Sequence, residues 1–566
     1  MLDGCTPWPE QTAERYRAEG LWRGLTLDRL LRSWAERSGE RTALVHGEHR
    51  LSYAELDRRV ERLAARFRAL GLRAGDRAVV QLPNRPEFLL VCFALFRLDA
   101  KPVFALTAHR RREIEHLCRQ TEAACYVVAA GGGGFRHTDL AVEVLESCDT
   151  LRAVAVVGEV PAEAAASRFG ERFHSLEVIG AETAPSPEPP APLSEPLSEP
   201  DAADVAFFLL SGGTTALPKL IPRTHEDYAC QIRLTAELDE LGPRDVYLAA
   251  LPLEFNFTWG CPGVLGTLHA GGLVVIADDA DPADCFDLID REGVTVTALV
   301  PSIAQLWIDA AHAEGWRGES LRLVQIGGAP LAQSVAARVG PVIGGRLQQV
   351  FGMAEGLLSF TRADDPEDVV TGTQGRPISA SDELRVVDEQ DRPVAAGEVG
   401  ELLVRGPYTL RGYYRADEHN ARAFTADGFY RTGDLARLTG RGDLVIAGRL
   451  KDVVIRGGAK VSAPELEAVL LEHPRVARAA VVPVPDTLLG EGICVFVQPR
   501  GEAPKLRELR DFLREQGLAD FKLPDRLETV AALPLTGLGK VDKKLLAKIV
   551  AQDGAESDHP SCVTGH

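Results

Sequence analysis

The chain contains no CxxC pair and no histidine cluster at metal-ligand spacing, which argues against a structural zinc site of the usual kinds. Its ten cysteines are scattered from Cys5 to Cys562, a pattern suited to a reducing, cytoplasmic setting and not to a disulfide framework. The opening stretch MLDGCTPWPEQTAERYRAEG lacks the basic-then-apolar order of a signal peptide, and no apolar run approaches bilayer length, so no membrane association is expected. Positive charge is in deficit, with 63 Lys and Arg against 82 Asp and Glu and a net charge of −19. That balance disfavours nucleic acid or an anionic membrane as the main partner. Any bound phosphate must therefore be met by local groups. Neither an internal repeat nor the GxxxxGK[ST] phosphate loop is present.

What is there is ample for a globular enzyme. At 566 residues, 45% hydrophobic and 26% charged, the chain exceeds what a single core organises, and two or more domains are expected. Amphipathic and strand-like runs alternate from Leu25 to about Val128, with helices predicted near 55–70 and 87–98 and a strand at 77–82. A proline-rich connector, APSPEPPAPLSEPLSEP, follows at 184–200. Apolar strand candidates then recur at 205–210, 246–251, 273–276, 296–300 and 323–326, and the simplest arrangement is one largely parallel, helix-covered sheet. Short alternating strands at 384–387 and 401–404 predict a small β-subdomain. Glycines and charges concentrate in AGRLKDVVIRGGAK at 447–460, just before a helix start with Pro464 in its first turn. The predicted fold is thus α/β: a large N-terminal domain over 1–449 with parallel-rich, helix-covered sheets and the β-subdomain, a smaller mobile α+β domain over 450–550, and a tail without fixed structure over 551–566.

Chemistry concentrates in a few loops. Ser211, Gly212, Gly213, Thr214, Thr215 and Lys219 lie within SGGTTALPK, directly after an apolar strand. Glycines admit backbone N–H groups to phosphate oxygens, hydroxyls add donors, and the lysine neutralises charge; a polar turn is the plainer alternative. Downstream come Gly327 and Gly328 at a strand end, then FGMAEG at 351–356, YRTGD at 430–434, GRLKD at 448–452 and PLTGLGK at 534–540. In this order they resemble, over nearly the whole chain, the adenylate-forming superfamily of acyl-CoA synthetases, luciferases and nonribosomal peptide synthetase adenylation domains. LIPRTH at 220–225, VFGMAEG at 350–356 and FKLPDR at 521–526 are similar to the stand-alone aryl-acid AMP ligases of siderophore and related nonribosomal peptide pathways.

That resemblance implies ATP and Mg²⁺ as cofactors. It implies Lys540 as the catalytic cation bridging carboxylate and phosphate, Glu355 as the magnesium carboxylate, and Asp434 and Arg449 as ribose- and phosphate-directed groups. Gly327, Gly328 and Ala329 would border adenine, followed by Val350, Phe351, Gly352 and Met353, and Lys451 would be the hinge about which the small domain turns between adenylation and thioester formation. His225 is a candidate support for the phosphates, beside the plainer reading of a structural histidine. Ala216 stands where the superfamily usually has Gly, which disfavours a positive φ there.

FNFTWGCPG at 255–263 matches the acid-binding stretch, with Asn256 facing the carboxylate and the ortho hydroxyl, flanked by Phe257. Relatives selecting 2,3-dihydroxybenzoate tend to carry Ser and Val where this chain has Cys261 and Leu358, and salicylate-selecting ones Cys and Leu. A thiol pairs poorly with a 3-hydroxyl, so salicylate is the expected acid, 2,3-dihydroxybenzoate the alternative. Phe255, at a position commonly His, leaves heteroaryl acids such as 3-hydroxypicolinate open, and Cys261 also reads as a small core residue without a role in selection. The expected acceptor is the phosphopantetheine thiol of a separate aryl carrier protein, with CoA as the other acceptor, and the enzyme a monomer or homodimer.

Overall fold

The computed structural model describes residues 1–131, 134–176, 200–211, 217–450, 453–456, 459–486, 490–516, 518, 520–536 and 540–556. Among these, four sheets account for the strands. The helix Pro86–Arg97 explains how the two largest meet. It opens on a proline at its first turn and is apolar on every face, with Phe88, Phe93 and Phe96 all buried. One apolar cluster gathers around it from Val80, Phe104 and Phe207 of one sheet and from Ala249, Val274 and Ala298 of the other. Alternate residues of the same strands, Val79, Val103 and Tyr126, point to the opposite face, where a second cluster forms.

The first of these sheets has seven strands, in the order Phe173–Leu176, Ala153–Val157, Cys125–Ala129, Arg77–Gln81, Lys101–Phe104, Val205–Leu210, Leu220–Thr224. All pair in parallel except the last two, which form an antiparallel hairpin. The other has nine strands, with a parallel centre running Arg346–Gly352, Leu323–Gly327, Val296–Leu299, Val246–Ala249, Leu273–Ile276 and Thr42–His46. The single sheet predicted after the connector is therefore corrected: Val205–Leu210 joins the first sheet beside Lys101–Phe104, and the second is completed by Thr42–His46 from near the N-terminus. Apolar runs declare strands but not partners, because pairing is decided by packing on shared helices.

The predicted β-subdomain is an antiparallel sheet of Glu383–Val387, Gly400–Arg405, Tyr430–Leu438 and Leu444–Arg449. Beyond it, Val453–Arg456, Ala459–Ser462, Val476–Asp486, Gly490–Pro499 and Arg526–Thr529 build a fifth-strand-capped mixed sheet with its own core of Val461, Leu466, Val495, Leu509 and Leu513. The predicted helix near 506–516 is Leu506–Glu515. The last helix, Lys543–Glu556, runs past position 550, where the predicted tail was to begin. Among the described residues no helix is long and apolar enough to cross a membrane.

Candidate active site

The hairpin of Val205–Leu210 and Leu220–Thr224 closes its base with two hydrogen bonds: Ser211 N donates to the Lys219 carbonyl at 2.9 Å, and Lys219 N donates to Ser211 Oγ at 3.1 Å. The two ends of the predicted phosphate loop are thus held together; Gly212, Gly213, Thr214, Thr215 and Ala216 lie outside the described residues. Lys219 Nζ stands 5.4 Å from the centre of the Tyr413 ring. Tyr413 Oη donates to Glu355 Oε1 at 2.8 Å and lies 2.8 Å from Tyr430 Oη. Desolvation holds the Glu355 carboxyl above the usual carboxylate range, opposed by the Tyr413 hydroxyl and by the charges of Arg449 and Lys219. A divalent cation would reverse that shift, and a carboxylate joined by substrate phosphates is the donor set magnesium takes. Glu355 fits that ion.

Across from Glu355, neighbouring antiparallel strands place Asp434 opposite Arg449. Arg449 Nε donates to Asp434 Oδ1 at 2.9 Å, with the carboxylate side chain 5% exposed and the guanidinium 47%. A sheltered acceptor and an open cation face the same space. The strand Leu323–Gly327 ends beside Val350, with which Gly327 pairs. A methyl group on Gly327 would meet the Val350 carbonyl at 2.5 Å, so only glycine fits. Gly328 has φ +84° and, with Ala329, lies exposed. A methyl group on Gly328 would sit 3.9 Å from Lys540 Cε. Lys540, from a turn in which Thr536 N donates to its carbonyl at 2.7 Å, therefore reaches the same strand end. Arg478, on Val476–Asp486, donates to the Ser302 carbonyl at 3.0 Å and ties the C-terminal sheet to the helix Pro301–Glu314. Lys451 lies outside the described residues.

The predicted acid pocket assembles around the short helix Asn256–Gly260, for which Phe255 is the N-cap. Asn256 Oδ1 accepts from Tyr228 Oη at 2.9 Å and from Gln231 Nε2 at 3.2 Å, and its Nδ2 lies 3.4 Å from the Met353 carbonyl. Cys261, Val350 and Leu358 are buried together, with Phe257 packed against them. Burial pushes the Cys261 thiol well up, so it stays protonated. Leu358 covers Gly352, whose substituent would meet Leu358 Cδ2 at 2.5 Å. Phe351 and Gly352 sit at the end of Arg346–Gly352, directly beyond Val350. Tyr16 and Trp22, from the N-terminal stretch, join the same cluster from behind.

His225 is corrected. It is 1% exposed, its Nδ1 accepts from Leu27 N at 3.2 Å, and its ring faces that of Phe96. Burial lowers its pKa to about 3, so it is a neutral packing residue and not a phosphate ligand. Tyr413, Tyr228 and Gln231 lie outside the quoted motifs, and Arg223 lies inside LIPRTH but is not singled out from it. Arg223 lies at the end of the strand just before the helix that carries Asp227 and Gln231, and bonds both; only Asp227 and Gln231 share helical i,i+4 spacing, so the sequence carried no spacing signal for Arg223.

The AMP-binding enzyme family matches residues 31–414, and the AMP-binding enzyme C-terminal domain matches 465–540. The 2,3-dihydroxybenzoate-AMP ligase of Bacillus subtilis is 50% identical over 98% of this chain and 98% of its own. The salicyl-AMP ligase / salicyl-S-ArCP synthetase of Mycobacterium tuberculosis is 44% identical over 97% of this chain and 94% of its own. Among solved structures, apo MbtA of Mycobacterium smegmatis superposes with a TM-score of 0.71 at 45% identity, covering 96% of this chain and 98% of that one.

Proposed function

Since the chain belongs to the AMP-binding enzyme family, we propose that it adenylates salicylate with ATP and passes the aryl group to the phosphopantetheine thiol of a separate aryl carrier protein. It is an aryl-acid AMP ligase. In the first step a carboxylate oxygen attacks the α-phosphorus and the bond to pyrophosphate breaks. In the second the thiol sulfur attacks the acyl carbon, its proton departs, and AMP leaves.

Charge logic distributes the work. Two anions must meet while charge grows on the leaving pyrophosphate. Lys540, near Gly328, supplies the cation between carboxylate and α-phosphate. Ser211 and Lys219, with the loop between them, hold the outer phosphates, and Asp434 accepts from the ribose hydroxyls while Arg449 orients it. When bound, Mg²⁺ neutralises phosphate charge, and Glu355 is the residue to hold it. Lys451 is the hinge on which the C-terminal sheet turns to admit the thiol. The buried free cysteines suit a cytoplasmic enzyme.

The observation that carries the choice of acid is the pocket wall of Asn256, Cys261 and Leu358. A 3-hydroxyl against a thiol and a leucine would go unpaired at a cost of about 1–3 kcal/mol. The competing substrate is 2,3-dihydroxybenzoate, favoured by the activity named for the Bacillus relative. Acid-dependent ATP–pyrophosphate exchange across salicylate, 2,3-dihydroxybenzoate, benzoate and 3-hydroxypicolinate tests the reading. We expect salicylate to give the highest kcat/KM; preference for the dihydroxy acid would refute the assignment of Cys261 and Leu358. Thioester formation with carrier protein against free CoA tests the acceptor.

A further inference from the structure

An asparagine amide fits its site either way round, and only one orientation offers N–H groups to an acid. We propose that Arg223, acting through Gln231, sets the Asn256 amide to donate into the acid pocket, which makes Gln231 a positioning residue for the aryl acid. The inference rests on the reading of Asn256 as the acid-binding residue.

The polarity of the relay starts at a group that can only donate. Arg223 is fully buried, and its guanidinium is held by Asp227 Oδ1 at 2.9 Å and by the carbonyls of Ala354 and Tyr408, both at 3.3 Å. Its Nη2 also donates to Gln231 Oε1 at 2.9 Å. A guanidinium has no acceptor, so the oxygen of Gln231 must face it and the NH₂ group must face away. There Gln231 Nε2 meets three acceptors: the Gly260 carbonyl at 2.8 Å, Asn256 Oδ1 at 3.2 Å and Cys261 Sγ at 3.5 Å. Gln231 is itself fully buried, so no water relieves a mismatch. Asn256 must answer a donor with its oxygen, and Tyr228 Oη adds a second donor to that oxygen at 2.9 Å. The NH₂ of Asn256 is left on the side of Met353. Reversing it would set NH₂ against NH₂ and forfeit both accepted bonds.

The relay also reaches Cys261. Because Gln231 donates to its sulfur and to the carbonyl just before it, the side chain that orients Asn256 holds the pocket wall in register with it. Donor and wall move together.

The test uses the full-length enzyme with Gln231→Glu, Gln231→Leu and Tyr228→Phe, in salicylate-dependent ATP–pyrophosphate exchange at pH 8, with KM measured for salicylate and for ATP. An ionised glutamate keeps an acceptor for Arg223 but donates nothing to Asn256, and so turns the amide over. We expect Q231E to raise the salicylate KM about 10- to 100-fold, Q231L about tenfold and Y228F less, with the ATP KM unchanged. A residue that merely packs gives the reverse order, since leucine abandons Arg223 and glutamate keeps it. A wild-type salicylate KM in Q231E overturns the relay. If Q231E does not fold, Y228F decides, and an unchanged salicylate KM there overturns it. Absence of exchange by the unaltered enzyme with every aryl acid overturns the functional reading and the relay together, whereas normal exchange with unresponsive variants overturns the relay alone.

Discussion

Lys540 and Gly328 come from segments more than two hundred positions apart, yet one lies against the other. A lysine beside Lys543 and Lys544 in the chain reads as surface charge until that proximity is seen. If Lys540 is the adenylating cation, Lys540→Ala should cut acid-dependent pyrophosphate exchange by about 10²-fold or more. Transfer of the aryl group from supplied aryl-AMP to the thiol should persist, because the second step needs no cation at the α-phosphate. Equal loss of both half-reactions would contradict the role. The pocket is tested at the same scale. The double variant Cys261→Ser, Leu358→Val should move the kcat/KM ratio toward 2,3-dihydroxybenzoate by about tenfold or more, the value of one newly paired hydroxyl. Asn256, Cys261, Glu355 and Asp434 could be named as candidates from the motifs that contain them. Arg223 and Gln231 could not, because a buried polar relay has no signature except its partners.

Elements carry effects that single side chains do not. The loop after Val246–Ala249 leads into the helix Asn256–Gly260, proposed above to bind the acid, and it carries Glu254, 7% exposed. Burial raises the Glu254 pKa from 4.5 to about 7, with backbone hydrogen bonds at Thr107 and Glu254 opposing the rise. The folded state then holds a proton that the unfolded chain releases. The stabilisation is full below about pH 4.5 and is lost as pH rises toward 7, a difference of order 3 kcal/mol at 1.36 kcal/mol per pKa unit. Asp239 and Asp382 are raised in the same way and the buried His225 and His269 act in the opposite sense, so the Glu254 contribution is read as a difference: in urea unfolding, Glu254→Gln should gain stability relative to the unaltered enzyme on going from pH 4.5 to pH 7.5. The helix His225–Leu238, which precedes Val246–Ala249 in the chain, bears Tyr228 and Gln231. Its N-cap is Thr224, whose Oγ1 accepts from Asp227 N at 3.1 Å while Asp227 accepts in return from Thr224 N at 2.7 Å. Thr224→Ala should cost about 1 kcal/mol of stability by the same unfolding measurement. The helices predicted near 55–70 and 87–98 were legible from their period and are Tyr53–Ala69 and Pro86–Arg97. Strand partnership was not: Val205–Leu210 and Val246–Ala249 look alike as apolar runs, yet they lie in different sheets.

At the scale of the molecule, the C-terminal sheet has a separate core and touches the larger body through Arg478 on Ser302 and through Lys540 at Gly328. In the proposed mechanism this is the arrangement that the first half-reaction needs. On the proposed turn about Lys451 both contacts part in the second. Arg478→Ala should therefore slow adenylation severalfold, on the loss of one hydrogen bond of about 1 kcal/mol, and leave thioester formation from supplied aryl-AMP unchanged. Single-turnover assays of the two steps would separate them.

Read by itself, the chain determined the class of chemistry, the order of its loops and the division between a large α/β body and a small α+β one. Those properties live in short contiguous segments, where glycine, lysine and carboxylate spacing has local meaning. The tertiary structure decided which side chains pack around the proposed acid pocket. Tyr16 and Trp22 from the first turns of the chain, Cys230 and Cys261 from its middle and Leu358 and Tyr408 beyond them close over one another. It also placed His225 among packing side chains, while Arg223, two residues earlier, is hydrogen-bonded to Gln231, which in turn bonds Asn256. Burial and hydrogen-bond polarity depend on every neighbour at once, and no window of sequence contains those neighbours.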